Sequence, residues 1–175
     1  MILSMRGTNL TLFPALLLLL ASSLAAASGG HGDGENGHGG GHGGDNAFEF
    51  GTPAPDTDAD RTIKIAAHDS MRFEPSDVTV EAGEVIRFVV RNTGQVLHSF
   101  TLGTPKYQQQ HQQEMQGMAM SKMASHMDDS SNGIVIRPGE TRTLTWRFRQ
   151  NGTVEFVCHI PGHYAAGMKG QVEIE

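Results

Sequence analysis

From Arg61 onward the chain is written in short apolar runs broken by turn signals, and that texture leaves few folds open. Thr62 to Ala67 reads as a first strand and Asp77 to Val80 as a second. Val85 to Arg91 is a third, with Ile86, Phe88 and Val90 on one face, since alternate residues of a strand point the same way. Leu97 to Leu102, Ile134 to Ile136, Thr141 to Phe148, Gly152 to Cys158 and Gly170 to Ile174 complete the set. Glu74-Pro75, Glu81-Ala82-Gly83-Glu84, Asn92-Thr93-Gly94 and Arg137-Pro138-Gly139-Glu140 separate them with turn chemistry. Runs this short and this numerous predict an all-β domain over residues 61–175, a Greek-key β-sandwich of two sheets with little helix.

What precedes Arg61 is built differently. Arg6 is the only charge ahead of an apolar run from Leu10 to Ala26, and Ala25-Ala26-Ala27-Ser28 offers a cleavage site. Residues 1–27 are therefore expected to be a signal peptide that sends the protein to the periplasm. Pro14 and the shortness of the run argue against a membrane anchor, and no cysteine lies near the cut to take a lipid. Residues 28–60 are expected to be a disordered Gly/His-rich tail and linker: Ser28 to Asn46 is mostly glycine, with too little apolar surface to pack, and Gly51 to Asp60 carries Pro53 and Pro55. His31, His38 and His42 make the tail a candidate copper-binding tract. Cleavage after Ser28 would expose Gly29-Gly30-His31, whose amine, amide nitrogens and imidazole suit square-planar Cu(II).

The formal net charge is −6, and loss of the leader removes only a positive charge, so neither nucleic acid nor an anionic membrane is an expected partner. A single cysteine, Cys158, cannot form an internal disulfide. In an exported protein an unpaired thiol is a redox liability unless it is buried or bound to metal.

Residues 104–133 interrupt the sandwich. Five of the nine methionines, Met115, Met118, Met120, Met123 and Met127, crowd into this Met-rich insertion beside His111 and His126. The polar stretches Gln108 to Gln113 and Asp128 to Asn132 argue against an ordinary core role. Some helix around Gln109 to Met127 would put methionines on a common face. Two readings stay open: a loose amphipathic lid packing its methionines on the sandwich, or a thioether cluster for Cu(I).

The chemistry gathers in the loop Val157 to Met168, where Cys158, His163 and Met168 are each separated by four residues. Thiolate, imidazole and thioether form a soft, mixed donor set that suits copper cycling between Cu(I) and Cu(II). Gly162 and Gly167 let the loop close tightly. The run Phe156-Val157-Cys158-His159-Ile160-Pro161-Gly162-His163, ending in Gly167-Met168-Lys169-Gly170, resembles the C-terminal ligand loop of the cupredoxins, the small type 1 copper proteins of the plastocyanin and azurin kind. In that family the first histidine ligand lies mid-chain, and His98, after Asn92-Thr93-Gly94 and before Phe100, occupies that place. The resemblance implies one type 1 copper held by His98, Cys158, His163 and, axially, Met168. Alternation turns His159 away from Cys158 and out of the set, and His68 is read as a surface residue.

The His-rich leader and the Met/His insertion make the chain similar to the periplasmic copper-tolerance cupredoxins. Those commonly carry an acidic residue after the first histidine, where this chain has Ser99. The expected function is copper tolerance by sequestration with one-electron chemistry, performed by a monomer that binds copper ions, including further copper at the His tract and the Met-rich insertion. The alternative is a soluble electron carrier serving a redox protein partner. A copper enzyme is disfavoured: such enzymes need a second centre, Val157 rather than histidine precedes Cys158, and no His-x-His pair occurs.

Overall fold

The structure, a computed structural model, describes residues 48–175. The expected signal peptide and the tract bearing His31, His38 and His42 lie outside the described residues. Ten strands form two five-stranded sheets. The first sheet contains β1 (Gly51–Pro53), β2 (Arg61–His68), β3 (Arg72–Glu74), β5 (Val85–Asn92) and β8 (Thr141–Phe148), in the order β1-β8-β5-β2-β3. The second contains β4 (Asp77–Val80), β6 (His98–Gly103), β7 (Gly133–Ile136), β9 (Gly152–Val157) and β10 (Lys169–Ile174), in the order β4-β10-β9-β6-β7. Most pairs are antiparallel, but β2 lies parallel to β5 and β4 parallel to β10, as sandwich crossovers require.

Apolar residues of both sheets point inward. Phe100 stands at the centre, its ring 5.0 Å from Phe156, 5.4 Å from Phe88 and 5.7 Å from Phe73. All four are buried. Each such ring pair contributes about 0.5–1.5 kcal/mol beyond the area it removes from water.

One segment departs from expectation, and a second, the insertion, takes a form the sequence left open. Residues 51–60, read as linker, begin the fold: Gly51–Pro53 pairs with β8, and Phe48 and Phe50 pack against Trp146 at 5.5 and 5.2 Å. Two prolines mask the strand in the sequence, yet an edge strand tolerates proline because one row of its amides needs no partner. The insertion forms two helices, α1 (Pro105–Met115) and α2 (Met120–Asp128). Thr104 caps α1, its Oγ1 accepting from the Tyr107 N–H at 3.2 Å, and Pro105 fills the first helical position, where no N–H is needed. Helix α1 packs on β6 and β9, and α2 on β7. Met115, Met123 and Met127 are buried in the common core, Met118 packs against it, and Met120 is exposed. Core packing, which the polar flanks argued against, is thus the place of three of the five, because the polar residues occupy the other faces of short helices. No helix among the described residues is long and apolar enough to cross a membrane.

Candidate metal centre

The sheet register brings the chemistry to one end of the sandwich. Strand β9 runs antiparallel to both β6 and β10; its last residue, Val157, pairs with Lys169 at the start of β10 and with Thr101 of β6, three residues from His98. His98 opens β6, Cys158 follows β9, and Met168 precedes β10. The Cys158 N–H donates to the Met168 carbonyl at 3.1 Å, extending the ladder by one pair. His163 sits on the intervening loop, closed by the Met168 N–H on the His163 carbonyl at 3.0 Å and by the His163 N–H on the Ile160 carbonyl at 3.0 Å. Gly162 and Gly167 take φ of 86° and 90°, the left-handed region that this tight loop needs.

Cys158 Sγ lies 3.3 Å from His163 Nδ1 and 4.0 Å from His98 Nδ1, and the two Nδ1 atoms are 3.3 Å apart. Among the described residues, these three ligand atoms are the group of histidine, cysteine and carboxylate donors that converge within 4.8 Å. Cys158 and His98 are fully buried and His163 half-buried; Met168, the fourth residue of the expected set, is fully buried beside Cys158 in the chain ladder.

The surroundings suit a cation. Burial pushes the Cys158 thiol up, with the Ser99 amide opposing it, so a metal ion is what would favour the thiolate. Burial also pushes His98 and His163 down, which keeps both imidazoles neutral and able to coordinate. The Ser99 N–H donates to Cys158 Sγ at 3.3 Å. The Ser99 hydroxyl accepts from the His159 N–H at 2.9 Å and so turns its own hydrogen toward Sγ, 3.8 Å away. Two donors aimed at one sulfur fit a thiolate better than a thiol.

His159 points away, as strand alternation requires, and it is wholly buried. Its Nε2 meets Gln108 Oε1 at 2.7 Å and its Nδ1 meets Gln112 Oε1 at 2.9 Å, both on α1. Gln108 Nε2 donates to the Thr101 and Glu155 carbonyls at 2.8 and 3.1 Å, which fixes the amide with its oxygen toward His159. This places the His159 proton on Nε2 and requires the Gln112 amide to turn its NH2 toward Nδ1. His68 is about one-third exposed, with Nδ1 3.0 Å from the Thr93 hydroxyl, and stays outside the cluster.

Three participants went unread in the sequence. Gln108 and Gln112 looked like part of a polar run, although their four-residue spacing places them on one face of a helix. Asp69 follows β2 directly, and its Oδ1 lies 3.3 Å from His98 Nε2. Only the parallel pairing of β2 with β5, which matches Ala67 to Asn92, shows that residues 69 and 93–98 share one end of the sandwich.

Comparison with known proteins agrees with this geometry. The copper-binding protein family of plastocyanin and azurin matches residues 59–175. A copper-resistant cuproprotein CopI of Rubrivivax gelatinosus is 38% identical over 95% of this chain and 98% of its own. Another of that name, from Pseudomonas aeruginosa, is 34% identical over 94% of this chain and 97% of its own. The reduced auracyanin of Roseiflexus castenholzii shares the fold at a TM-score of 0.58 and 24% identity, covering 67% of this chain and 98% of its own. With a soft, convergent donor set and a family match over residues 59–175, the chain belongs to the plastocyanin/azurin family of copper-binding proteins, and its cofactor is a type 1 copper ion.

Proposed function

We propose that His98, Cys158 and His163, with Met168 as a weaker fourth ligand, would hold the copper, and that the protein serves copper tolerance in the periplasm. The observation that carries this is the convergence of one sulfur and two bare imidazole nitrogens within 4.8 Å at the end of a rigid sandwich. Bound there, copper supplies one-electron chemistry between Cu(I) and Cu(II). The chain's own part is to hold the geometry: β6, β9 and β10 anchor three of the four residues, and the Ser99 donors support the sulfur. Little need then rearrange when the charge changes.

That the CopI relatives are copper-resistant cuproproteins supports copper tolerance over simple electron carriage. Further copper at the His31, His38 and His42 tract, and on the insertion at exposed Met120 with half-buried Met118 and His126, would extend capture beyond one ion. The electron-carrier reading draws on the half-buried His163, which stands among exposed Pro161, Gly162 and Ala165 and offers an edge to a redox protein partner. We take the protein to be a monomeric copper-binding protein rather than an enzyme.

A strain that has lost its own copy of the gene distinguishes the two. The tolerance reading expects the parent chain to restore growth in copper, Cys158→Ser to fail, and removal of residues 104–133 to protect only partly. Equal protection by Cys158→Ser would overturn it. Copper growth untouched by Cys158→Ser, with slowed respiratory electron flow, would favour the carrier.

A further inference from the structure

Asp69 stands at the back of His98 in a seat built for it. Its Oδ2 accepts the Gln95 N–H at 2.7 Å, and its Oδ1 lies 3.3 Å from both the Val96 N–H nitrogen and His98 Nε2. Gly94 makes the room: a Cβ there would stand 1.8 Å from Oδ1. The loop that presents these amides is itself fixed. Asn92, fully buried, donates from Nδ2 to the Val96 and Ile136 carbonyls at 2.7 and 3.0 Å and accepts the Gly94 N–H at 2.9 Å. Thr93 ties the same loop to β2 through the Ala67 carbonyl at 3.0 Å.

The geometry points to Asp69 as a positioning residue for the copper: its carboxylate fixes the proton of His98 on Nε2, frees Nδ1 for the metal, and biases the site toward Cu(II). This rests on His98 being a ligand. The chemistry follows from the imidazole. A neutral ring carries one proton, and whichever nitrogen holds it cannot bind a metal. Nδ1 faces Cys158 and His163, so the proton belongs on Nε2, where an acceptor is required. A backbone carbonyl or a water would serve for orientation alone. A carboxylate also brings a formal negative charge, raises ligand basicity and attracts the dication more strongly than the monocation. The Gln95 and Val96 amides both donate to that carboxyl, an arrangement that suits its ionised form.

The test uses the full chain with Asp69→Asn and Asp69→Ala. Asparagine keeps the size and one oxygen for the loop amides but loses the charge. The expected result is a type 1 absorption band in all three proteins, with Cu(II) affinity about tenfold or more weaker in Asp69→Asn and Cu(I) affinity changed less. Each tenfold excess loss for Cu(II) raises the one-electron reduction potential by ~59 mV. In the metal-free protein, nitrogen-15 spectra should show His98 as the Nε2–H form in the parent and as mixed tautomers in Asp69→Ala. A role confined to holding the loop predicts that Asp69→Asn matches the parent. Equal potentials with an unchanged His98 tautomer would therefore overturn the proposal while the band stays. Absence of the band from the parent would instead overturn the ligand assignment beneath it.

Discussion

Replacing Gln108 with leucine separates the structural work of the insertion from any metal chemistry. The amide is fully buried on α1 and joins three groups: the Thr101 carbonyl at 2.8 Å, the Glu155 carbonyl at 3.1 Å and His159 Nε2 at 2.7 Å. Leucine fills a similar volume but satisfies none of them. Each lost hydrogen bond in a buried setting costs about 1 kcal/mol, and an orphaned donor costs about 1–3 kcal/mol. His159 limits the damage, because its proton can move to Nδ1 and reach Gln112 Oε1 at 2.9 Å. The sum is a loss of about 2–4 kcal/mol in the metal-free protein, a large share of the ~5–15 kcal/mol that holds a typical domain. Urea unfolding followed by fluorescence of Trp146 measures it. The cycle with His159→Leu should then show a coupling of about 1 kcal/mol, since the partners touch directly. A loss below about 0.5 kcal/mol, or strict additivity, would refute the view that this clamp fastens α1 to the sandwich.

Two further outcomes follow from the packing and the charges. Gly170→Ala would place a Cβ 2.2 Å from Phe156 Cζ and 2.4 Å from the Ser76 carbonyl oxygen; backbone cannot yield there, so a loss of about 1–3 kcal/mol in urea unfolding is expected. The metal-free protein should weaken on mild acidification, because burial and the neighbouring His111 push His159 down to about 3 from an ordinary 6.5. The unfolded chain takes up the proton first, so stability is full above about pH 6.5 and falls toward pH 3, by up to about 1.4 kcal/mol per pH unit for this one group. His98 and His163, also depressed by burial, act in the same direction. A urea midpoint that stays flat between about pH 7 and 5.5 would contradict this.

Strand periodicity and turn residues are local signals, and wherever the sandwich is built from them the sequence reading and the structure agree. Asp77–Val80 and Thr141–Phe148 coincide at both ends with the expected strands. The short β3 carries no alternation long enough to detect, and β1 is hidden behind prolines that an edge strand tolerates. Cys158 and His163 stood out by their spacing on one loop and His98 by the resemblance to the cupredoxins, and the fold brings their three ligand atoms within 4.8 Å of one another. Asp69 and Gln108 were not legible. Their importance comes from what faces them, His98 and His159, across pairings of distant segments that no local pattern encodes. The methionines of the insertion show the same limit: composition left a packed lid and a soft-metal cluster both open, and helix geometry places Met115, Met123 and Met127 in the core.

The most direct test is a titration of the full chain with Cu(II), read by visible absorption and electron paramagnetic resonance, beside Cys158→Ser and His98→Ala. An intense thiolate-to-copper band that saturates with the first equivalent, vanishes in Cys158→Ser and is lost or strongly altered in His98→Ala is the predicted result. Weakly coloured copper alone in the parent, with spectra indifferent to Cys158, would contradict the assignment of this loop as the copper centre.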